Sequence, residues 1–193
     1  MKPVVIYSSR TGNTKKVAEA VLSVLPEGTP MVAASDVGEM AEYDLVFMGY
    51  WVNKGTADTA AQEAMRKISG KMVAIFATAG TYPDSEHAQK SLKAGATCLG
   101  EGCMVLGTFI CQGAVDPERI ERAKMRPPDH RHPPTAERIK RWQDASTHPD
   151  DTDLENAVAF TRAVVQKANR LSSSKIEPET EPVSYTHLRA HET

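Results

Sequence analysis

The sequence predicts an α/β protein with an open, parallel, five-stranded sheet that carries helices on both faces. Short apolar runs alternate along the chain with longer amphipathic stretches, which is the pattern of βαβ units with right-handed crossovers. The strongest run, residues 45–51, is apolar on both faces, as expected of a strand buried inside a parallel sheet.

The first half of the chain alternates between strands and helices. Residues 4–7 form a run of strand formers, and residues 14–25 repeat apolar side chains at helical spacing. A weak second strand is predicted over 31–34, and the strong third strand over 45–51. Residues 57–68 then predict a helix.

The second half continues the alternation and is interrupted once. It predicts a fourth strand over 72–77, a helix over 85–99 that Asp84 begins, a fifth strand over 104–111 and a last helix over 154–171. The acidic residues that precede the last helix suit its N-terminus through capping and the helix dipole.

The interruption covers residues 116–149. It contains six of the twelve prolines and three of the six histidines, with helical fragments over 117–124 and 136–145. We predict one domain over 1–171 that includes this excursion. Residues 172–193 have no apolar periodicity and predict a disordered tail, whose end SYTHLRAHET resembles a translated sequencing adaptor.

Composition excludes several classes of protein. No apolar run reaches the length of a membrane span, and the start MKPVVIYSSR does not fit a secretory signal, so we expect a soluble, cytoplasmic protein. Three cysteines without an export signal predict reduced thiols. The net charge is −2, and the acidic excess lies in the tail. A neutral body argues against nucleic-acid and membrane-surface partners.

The most informative segment lies between the first strand and the first helix, SSRTGNT over residues 8–14. Backbone N–H groups and the helix dipole converge at such a point, which favours a phosphate. The hydroxyls of Ser9, Thr11 and Thr14 and the amide of Asn13 offer neutral donors, and Gly12 permits close backbone approach. A helix cap with spare hydroxyls is the alternative interpretation.

Two further loops follow the third and fourth strands, YWVNKG over 50–55 and TAGTYP over 78–83. Ligands of open parallel sheets bind beyond the carboxyl ends of the strands, so all three loops are expected to face one crevice. Trp51 and Tyr82 stand at loop positions where they can stack on a flat ring, whereas Tyr50 lies within the apolar run and is expected in the core.

These loops resemble those of the flavodoxin family, whose FMN lies at the switch point of a sheet ordered 2-1-3-4-5. The resemblance covers residues 2–113 and the last helix. It implies this strand order and one bound FMN. The implied phosphate residues are Ser9, Arg10, Thr11, Gly12, Asn13 and Thr14, with Arg10 acting mainly through its backbone. Those implied around the flavin ring are Trp51 and Tyr82 on its faces and Thr78, Ala79 and Gly80 at its edge. We further predict that the loop of Asn53, Lys54 and Gly55 tunes the flavin, through a backbone carbonyl near Gly55 that accepts a hydrogen bond from reduced N5 after a peptide flip.

Departures from the family pattern concern charge and the excursion. Typical flavodoxins are strongly acidic, whereas this body is neutral. Arg131, Arg138 and Arg141 predict that the excursion forms a docking face or a lid at the flavin edge. His130 and His132 are two ligands in a proline-rich loop with no nearby cluster of cysteines or carboxylates, so we predict no metal site. Lys54 either points inward and raises the flavin potential or is a solvated lysine.

Three functions remain open at this point. The resemblance implies first an electron carrier that serves a partner oxidoreductase, and divergent flavodoxins have been linked to tetrapyrrole reductases. The second is an FMN-dependent NAD(P)H:quinone-type reductase, although the sequence has no second nucleotide fingerprint. The third is a non-redox protein that uses the phosphate loop for another ligand.

Overall fold

In a computed structural model the protein is described over residues 1–127, 129–130 and 133–174. The strands are β1 (Pro3–Tyr7), β2 (Met31–Ala33), β3 (Leu45–Asn53), β4 (Thr56–Ala57), β5 (Met72–Ala79) and β6 (Met104–Gln112). The helices are α1 (Asn13–Leu22), α2 (Thr59–Arg66), α3 (Glu86–Ala96), α4 (Pro117–Lys124), α5 (Ala136–Asp144) and α6 (Asp151–Ser174).

The parallel sheet has the order β2-β1-β3-β5-β6. Because β4 was not among the five predicted strands, β5 and β6 are the predicted fourth and fifth strands, and the predicted order 2-1-3-4-5 is confirmed. The short strand β4 was not predicted. It pairs antiparallel with the end of β3 and makes a hairpin, so the sheet has six strands in total. Sequence analysis placed Ala57 in a helix because the apolar periodicity of α2 extends back to it.

Helices cover both faces of the sheet, as predicted. One core packs Met65 of α2 and Leu92 of α3 against the sheet. The opposite core packs Val17 of α1 and Val164 of α6 against Phe47 and its neighbours. Because both faces are buried, β3 and β5 are almost entirely apolar, which made them the easiest strands to predict.

Side-chain caps set the helix starts. Asp58 accepts a hydrogen bond from the Ala61 N–H at the start of α2, and Ser85 caps α3 in the same way. The prediction that Asp84 begins α3 was therefore wrong by one residue. Asp116 caps α4, whose first residue is the proline expected at that position.

The last helix, α6, is longer than predicted at both ends. It begins at Asp151, where Asp150 accepts the Asp153 N–H, and it continues to Ser174. Residues 172–174, assigned to the tail by sequence analysis, therefore extend the helix. The rest of the predicted tail, residues 175–193, lies outside the described residues. In the described part of the chain, no helix has both the length and the apolarity to cross a membrane.

Candidate functional site

The loop of residues 8–12 joins β1 to α1 and is held at its start by two contacts. The Ser8 N–H donates to the Gly49 carbonyl of β3 at 2.9 Å, and the Ser8 hydroxyl donates to an Asp58 carboxylate oxygen at 2.7 Å. Asp58 is 4% exposed and also caps α2. This buried carboxylate thus links the loop to the next crossover helix, a role that sequence analysis missed.

The loop ends at Gly12, which has φ 89° and is the N-cap of α1. Residues with side chains rarely adopt this conformation, so the position requires glycine. The first turn of a helix leaves N–H groups without intrahelical acceptors. Beside this turn, the Ser9 and Thr11 oxygens accept N–H groups from Lys15 and Asn13, which leaves both hydroxyl protons free to be donated.

Asn13 has a different role from the one predicted. Its side-chain amide donates to the Ala114 carbonyl at 2.9 Å and to the Thr11 hydroxyl oxygen at 3.1 Å. Both amide protons are therefore committed to protein acceptors. Instead of a spare donor, Asn13 is a bridge between the phosphate-type loop and the loop that follows β6.

The loop after β6, residues 113–116, is a part of the site that sequence analysis missed. A Cβ at Gly113 would lie 3.1 Å from the Asn13 amide nitrogen, so this backbone packs closely on the start of α1. Arg10 forms an ion pair of 3.2 Å with Asp116 in the same loop. This loop follows β6, the neighbour of β5 in the parallel sheet. Ligands of such sheets bind beyond the carboxyl ends of the strands, so the argument that identified the other loops applies to this one as well.

Thr14 and Thr78 form a buried polar contact beneath the loops. Their hydroxyl oxygens lie 2.8 Å apart, and the two residues are 1% and 3% exposed. Only one of the two protons serves this contact, so the pair retains one hydroxyl donor. The contact ties the start of α1 to the end of β5.

Trp51 lies at the end of β3, where its ring is half-buried. The Arg10 guanidinium lies 5.8 Å from the centre of that ring. Trp51, Arg10 and Thr78 line a narrow cleft of about 70 Å³. Tyr50, by contrast, is fully buried, and its hydroxyl donates to the Ser91 carbonyl, which agrees with the predicted core position.

The hairpin between β3 and β4 presents Lys54 and Gly55 at its tip. Both residues have positive φ, 52° and 83°, as the two-residue type I′ turn requires. Lys54 is exposed and stands at the rim of a second, larger cleft of about 1030 Å³. Asn53 pairs with Thr56 across the hairpin and lines neither cleft.

Tyr82 does not take the position that the resemblance implied. It lines neither cleft, and its hydroxyl donates to an Asp144 carboxylate oxygen of α5 at 2.6 Å. This hydrogen bond raises the pKa of the Tyr82 phenol. Tyr82 therefore fastens the loop after β5 to the excursion, and sequence analysis could not detect a contact that spans 62 residues.

The larger cleft lies between this rim and the excursion. Lys54, Gly55 and Gly80 line one side, and Trp142 of α5, only 7% exposed, lines the other. The two clefts share five lining residues and so adjoin: Val52, Ala79, Gly80, Val115 and Arg119.

Arginines dominate the excursion side of the larger cleft. Its lining includes Arg119, Arg126, Arg138 and Arg141, and the Arg138 guanidinium lies 5.0 Å from the centre of the Trp142 ring. Burial, followed by repulsion from the other three guanidinium groups, lowers the pKa of Arg138. Of the three arginines predicted to form a docking face or a lid, Arg138 and Arg141 line this cleft, whereas Arg131 lies outside the described residues.

Predicted site residues therefore fall into two groups. Those that line one of the two clefts are Arg10, Thr11, Asn13, Thr14, Trp51, Lys54, Gly55, Thr78, Ala79 and Gly80. Ser9, Gly12, Asn53 and Tyr82 line neither cleft, although Ser9 and Gly12 shape the loop.

A separate cluster near the end of the excursion consists of His148, Asp150 and Asp153, with Cys111 nearby. The His148 Nδ1 lies 2.5 Å from an Asp153 carboxylate oxygen, and Asp150 is 3.9 Å from the same nitrogen. The His148 carbonyl accepts the Ala114 N–H, so this turn supports the loop after β6. Burial raises the pKa of the nearby Cys111 thiol. The sequence analysis predicted that His130 and His132 do not form a metal site. His132 lies outside the described residues.

The donor set beside α1 fits FMN, the cofactor that the resemblance implies. A phosphate monoester needs several donors and close backbone approach, and this loop combines hydroxyl protons, helix N–H groups and the conformation of Gly12. The adjoining clefts can admit a flat ring, with Trp51 on one side.

Comparison with known proteins gives a consistent result. A family model described as flavodoxin domain matches residues 4–162. The chain is 29% identical over 180 residues to the flavodoxin-like domain-containing protein BilS of Clostridioides difficile (strain CD3), over 88% of this chain and 99% of the relative. The protein of the same description from Clostridium symbiosum (strain WAL-14163) is 31% identical, over 80% of this chain and 90% of the relative.

A solved structure has a similar fold. Oxidised Flavodoxin 2 from Bacillus cereus superposes with a TM-score of 0.56 at 16% identity, over 86% of this chain and 99% of that one. At this level of identity the similarity concerns the fold alone.

Proposed function

Because the chain belongs to the flavodoxin domain family, we propose that it binds FMN and delivers reducing equivalents to a partner oxidoreductase. One observation supports this most strongly. The donor-rich loop at the start of α1, the end of β3 with Trp51 and the end of β5 meet at one edge of the sheet, where adjoining clefts lie.

FMN, when bound, supplies one- and two-electron transfer, so the protein needs no base or nucleophile of its own. The residues of the chain bind the FMN and orient its ring. Ser9, Thr11 and the first turn of α1 donate to the phosphate, and Asn13 holds this loop against residues 113–116. Thr78, Ala79 and Gly80 line the ring edge, and Trp51 offers a face for stacking.

Lys54 supplies the only lysine charge among the residues that line the two described clefts. It is exposed at the hairpin tip, and the neighbouring Gly55 leaves the backbone there free to change conformation. We propose that these two residues adjust the flavin potential: Lys54 by charge, and Gly55 through a peptide that can turn its carbonyl toward the ring.

Within the class of partner oxidoreductases, we propose one that reduces a tetrapyrrole. The resemblance to divergent flavodoxins, which have been linked to tetrapyrrole reductases, supports this choice. The neutral body of the chain also distinguishes it from carriers that dock through a strongly acidic surface.

Anaerobic reduction tests the proposal. We expect NADH or NADPH alone to leave the 450 nm absorbance of the FMN-loaded protein unchanged over minutes. Dithionite-reduced protein is expected to regain that absorbance when a tetrapyrrole reductase and its substrate are added together. Direct bleaching by NAD(P)H would instead identify a self-contained reductase, for which the larger cleft offers room for a small substrate.

A further inference from the structure

The larger cleft has a cationic wall that the proposed electron-carrier role does not require. Four arginines line it, and Glu137 is the one carboxylate among its described lining residues. Arg138 and Arg141 lie three residues apart on α5 and so share a helix face, while Arg119 comes from α4. Two helices of the excursion therefore direct like charges into the same concave space.

Arg119 and Arg141 have charges that the protein does not neutralise locally. In the described part of the chain no carboxylate lies within 4.0 Å of either guanidinium group. The Arg141 Nε is also buried and has no hydrogen-bond acceptor among those residues. A buried donor without a partner is costly, and a bound anion would satisfy it.

The rest of the cleft is apolar and aromatic. Trp142 and the buried Ala123 lie beside the arginines, with Val115 toward the shared boundary of the two clefts. The combination of a ring, aliphatic surface and guanidinium groups favours a conjugated anion over a bare inorganic ion. The concave shape favours a small molecule over the convex acidic surface of a protein.

We propose that this cleft is a binding site for an organic anion with two or more carboxylates on a conjugated, apolar frame. The carboxylates pair with Arg119 and Arg141, and the frame packs on the Trp142 side of the cleft. The opposite side belongs to the rim proposed for the flavin, so the anion lies next to the cofactor. Binding of the anion rests on the arginine wall and does not require that FMN be bound.

Calorimetric titration of the full chain at low ionic strength tests the proposal with three probes that share one ring system. They are naphthalene-2,6-dicarboxylate, 2-naphthoate and 2-naphthol. We expect one dicarboxylate per chain, about tenfold weaker binding of the monocarboxylate and no measurable binding of the neutral alcohol, since a charge-assisted contact is worth about one order of magnitude or more. Raising the salt concentration should weaken the dicarboxylate most.

Variants locate the site. Arg141→Gln and Arg119→Gln should each weaken dicarboxylate binding about tenfold or more. Arg162→Gln, an exposed position on α6 outside the cleft, removes the same charge and should change binding less than twofold. Because Arg119 is exposed, its replacement tests the site even if Arg141→Gln does not fold.

Three outcomes would overturn the inference: no dicarboxylate binding by folded protein, equal binding of the neutral alcohol, or equal losses in the Arg141 and Arg162 variants. The titration is run on flavin-free and FMN-loaded protein. A chain that refuses FMN but binds the dicarboxylate refutes the proposed function alone, and the reverse result refutes the anion site alone.

Discussion

Asn13 gives the sharpest test of how the phosphate-type loop is organised. Its amide donates to the Ala114 carbonyl, a half-buried contact of 2.9 Å, and to the Thr11 hydroxyl at 3.1 Å. Replacement by alanine removes both hydrogen bonds. At about 0.5 to 1.5 kcal/mol each, with the exposed contact at the lower end, the loss is about 1 to 2 kcal/mol.

This loss should appear in FMN affinity because the two loops would have to be ordered on binding. A cost of about 1 to 2 kcal/mol corresponds to an increase of about 5- to 30-fold in the Kd. Quenching of FMN fluorescence during titration with flavin-free protein measures it. Asn169→Ala, an exposed asparagine on α6, is the matched control and should leave the Kd unchanged.

A second substitution separates binding from folding. Asn13→Asp places a carboxylate in the first turn of α1, which stabilises the helix by about 0.3 to 1 kcal/mol through the dipole. The same carboxylate has no proton to donate to the Ala114 carbonyl, so that hydrogen bond is lost, and its negative charge repels phosphate. Because repulsion from the Ala114 carbonyl offsets the dipole gain, we expect Asn13→Asp to be no more stable to denaturant than Asn13→Ala and to bind FMN more weakly. Wild-type affinity in either variant would refute the bridging role.

Three further predictions concern packing, pH and potential. Gly95→Ala should lower the free energy of unfolding by about 1 to 3 kcal/mol in urea titration, because its Cβ would lie 2.1 Å from the Tyr50 hydroxyl oxygen. Gly38→Ala is the control: no atom lies within 4 Å of its added Cβ, so we expect no such loss. Burial raises the pKa values of Tyr50 and Cys111 in the folded state above their unfolded values of 10.0 and 9.0. The free energy of unfolding is therefore unaffected by these groups below the unfolded pKa values and decreases as the pH rises above them. Tyr50→Phe should reduce this decrease in urea titrations between pH 8 and 11. Lys54→Ala should lower the two-electron potential of bound flavin by about 20 mV in a redox titration, and an unchanged value would mean that this exposed lysine does not act on the ring.

The parallel sheet could be predicted because its signals are local. Both faces of β3 and β5 are buried, so their sequences are continuous apolar runs. The helix over 117–124 was predicted at its observed bounds, and in the structure Asp116 caps it and Pro117 is its first residue. The start of α2 was missed because Ala57 continues the apolar periodicity, although Asp58 offered the capping signal one residue later.

The composition of the site was harder to predict, because much of it depends on contacts between distant segments. Trp142 lies in an arginine-rich helix with no local sign that it lines a cleft beside Gly80. Tyr82 has the residue type and loop position of a ring-stacking side chain, but a carboxylate 62 residues away binds its hydroxyl. Only the fold of the excursion decides where these side chains lie.

The central claim is that residues 8–14 hold a phosphate while the neighbouring loops hold the ring of the same molecule. Parallel titrations of flavin-free protein with FMN and riboflavin, which share the ring but differ in the phosphate, test it most directly. We expect one FMN per chain and riboflavin binding at least about 100-fold weaker, since phosphate held by several donors contributes about 3 kcal/mol or more. Equal affinity for the two flavins, or failure of the folded protein to bind FMN, would contradict the account.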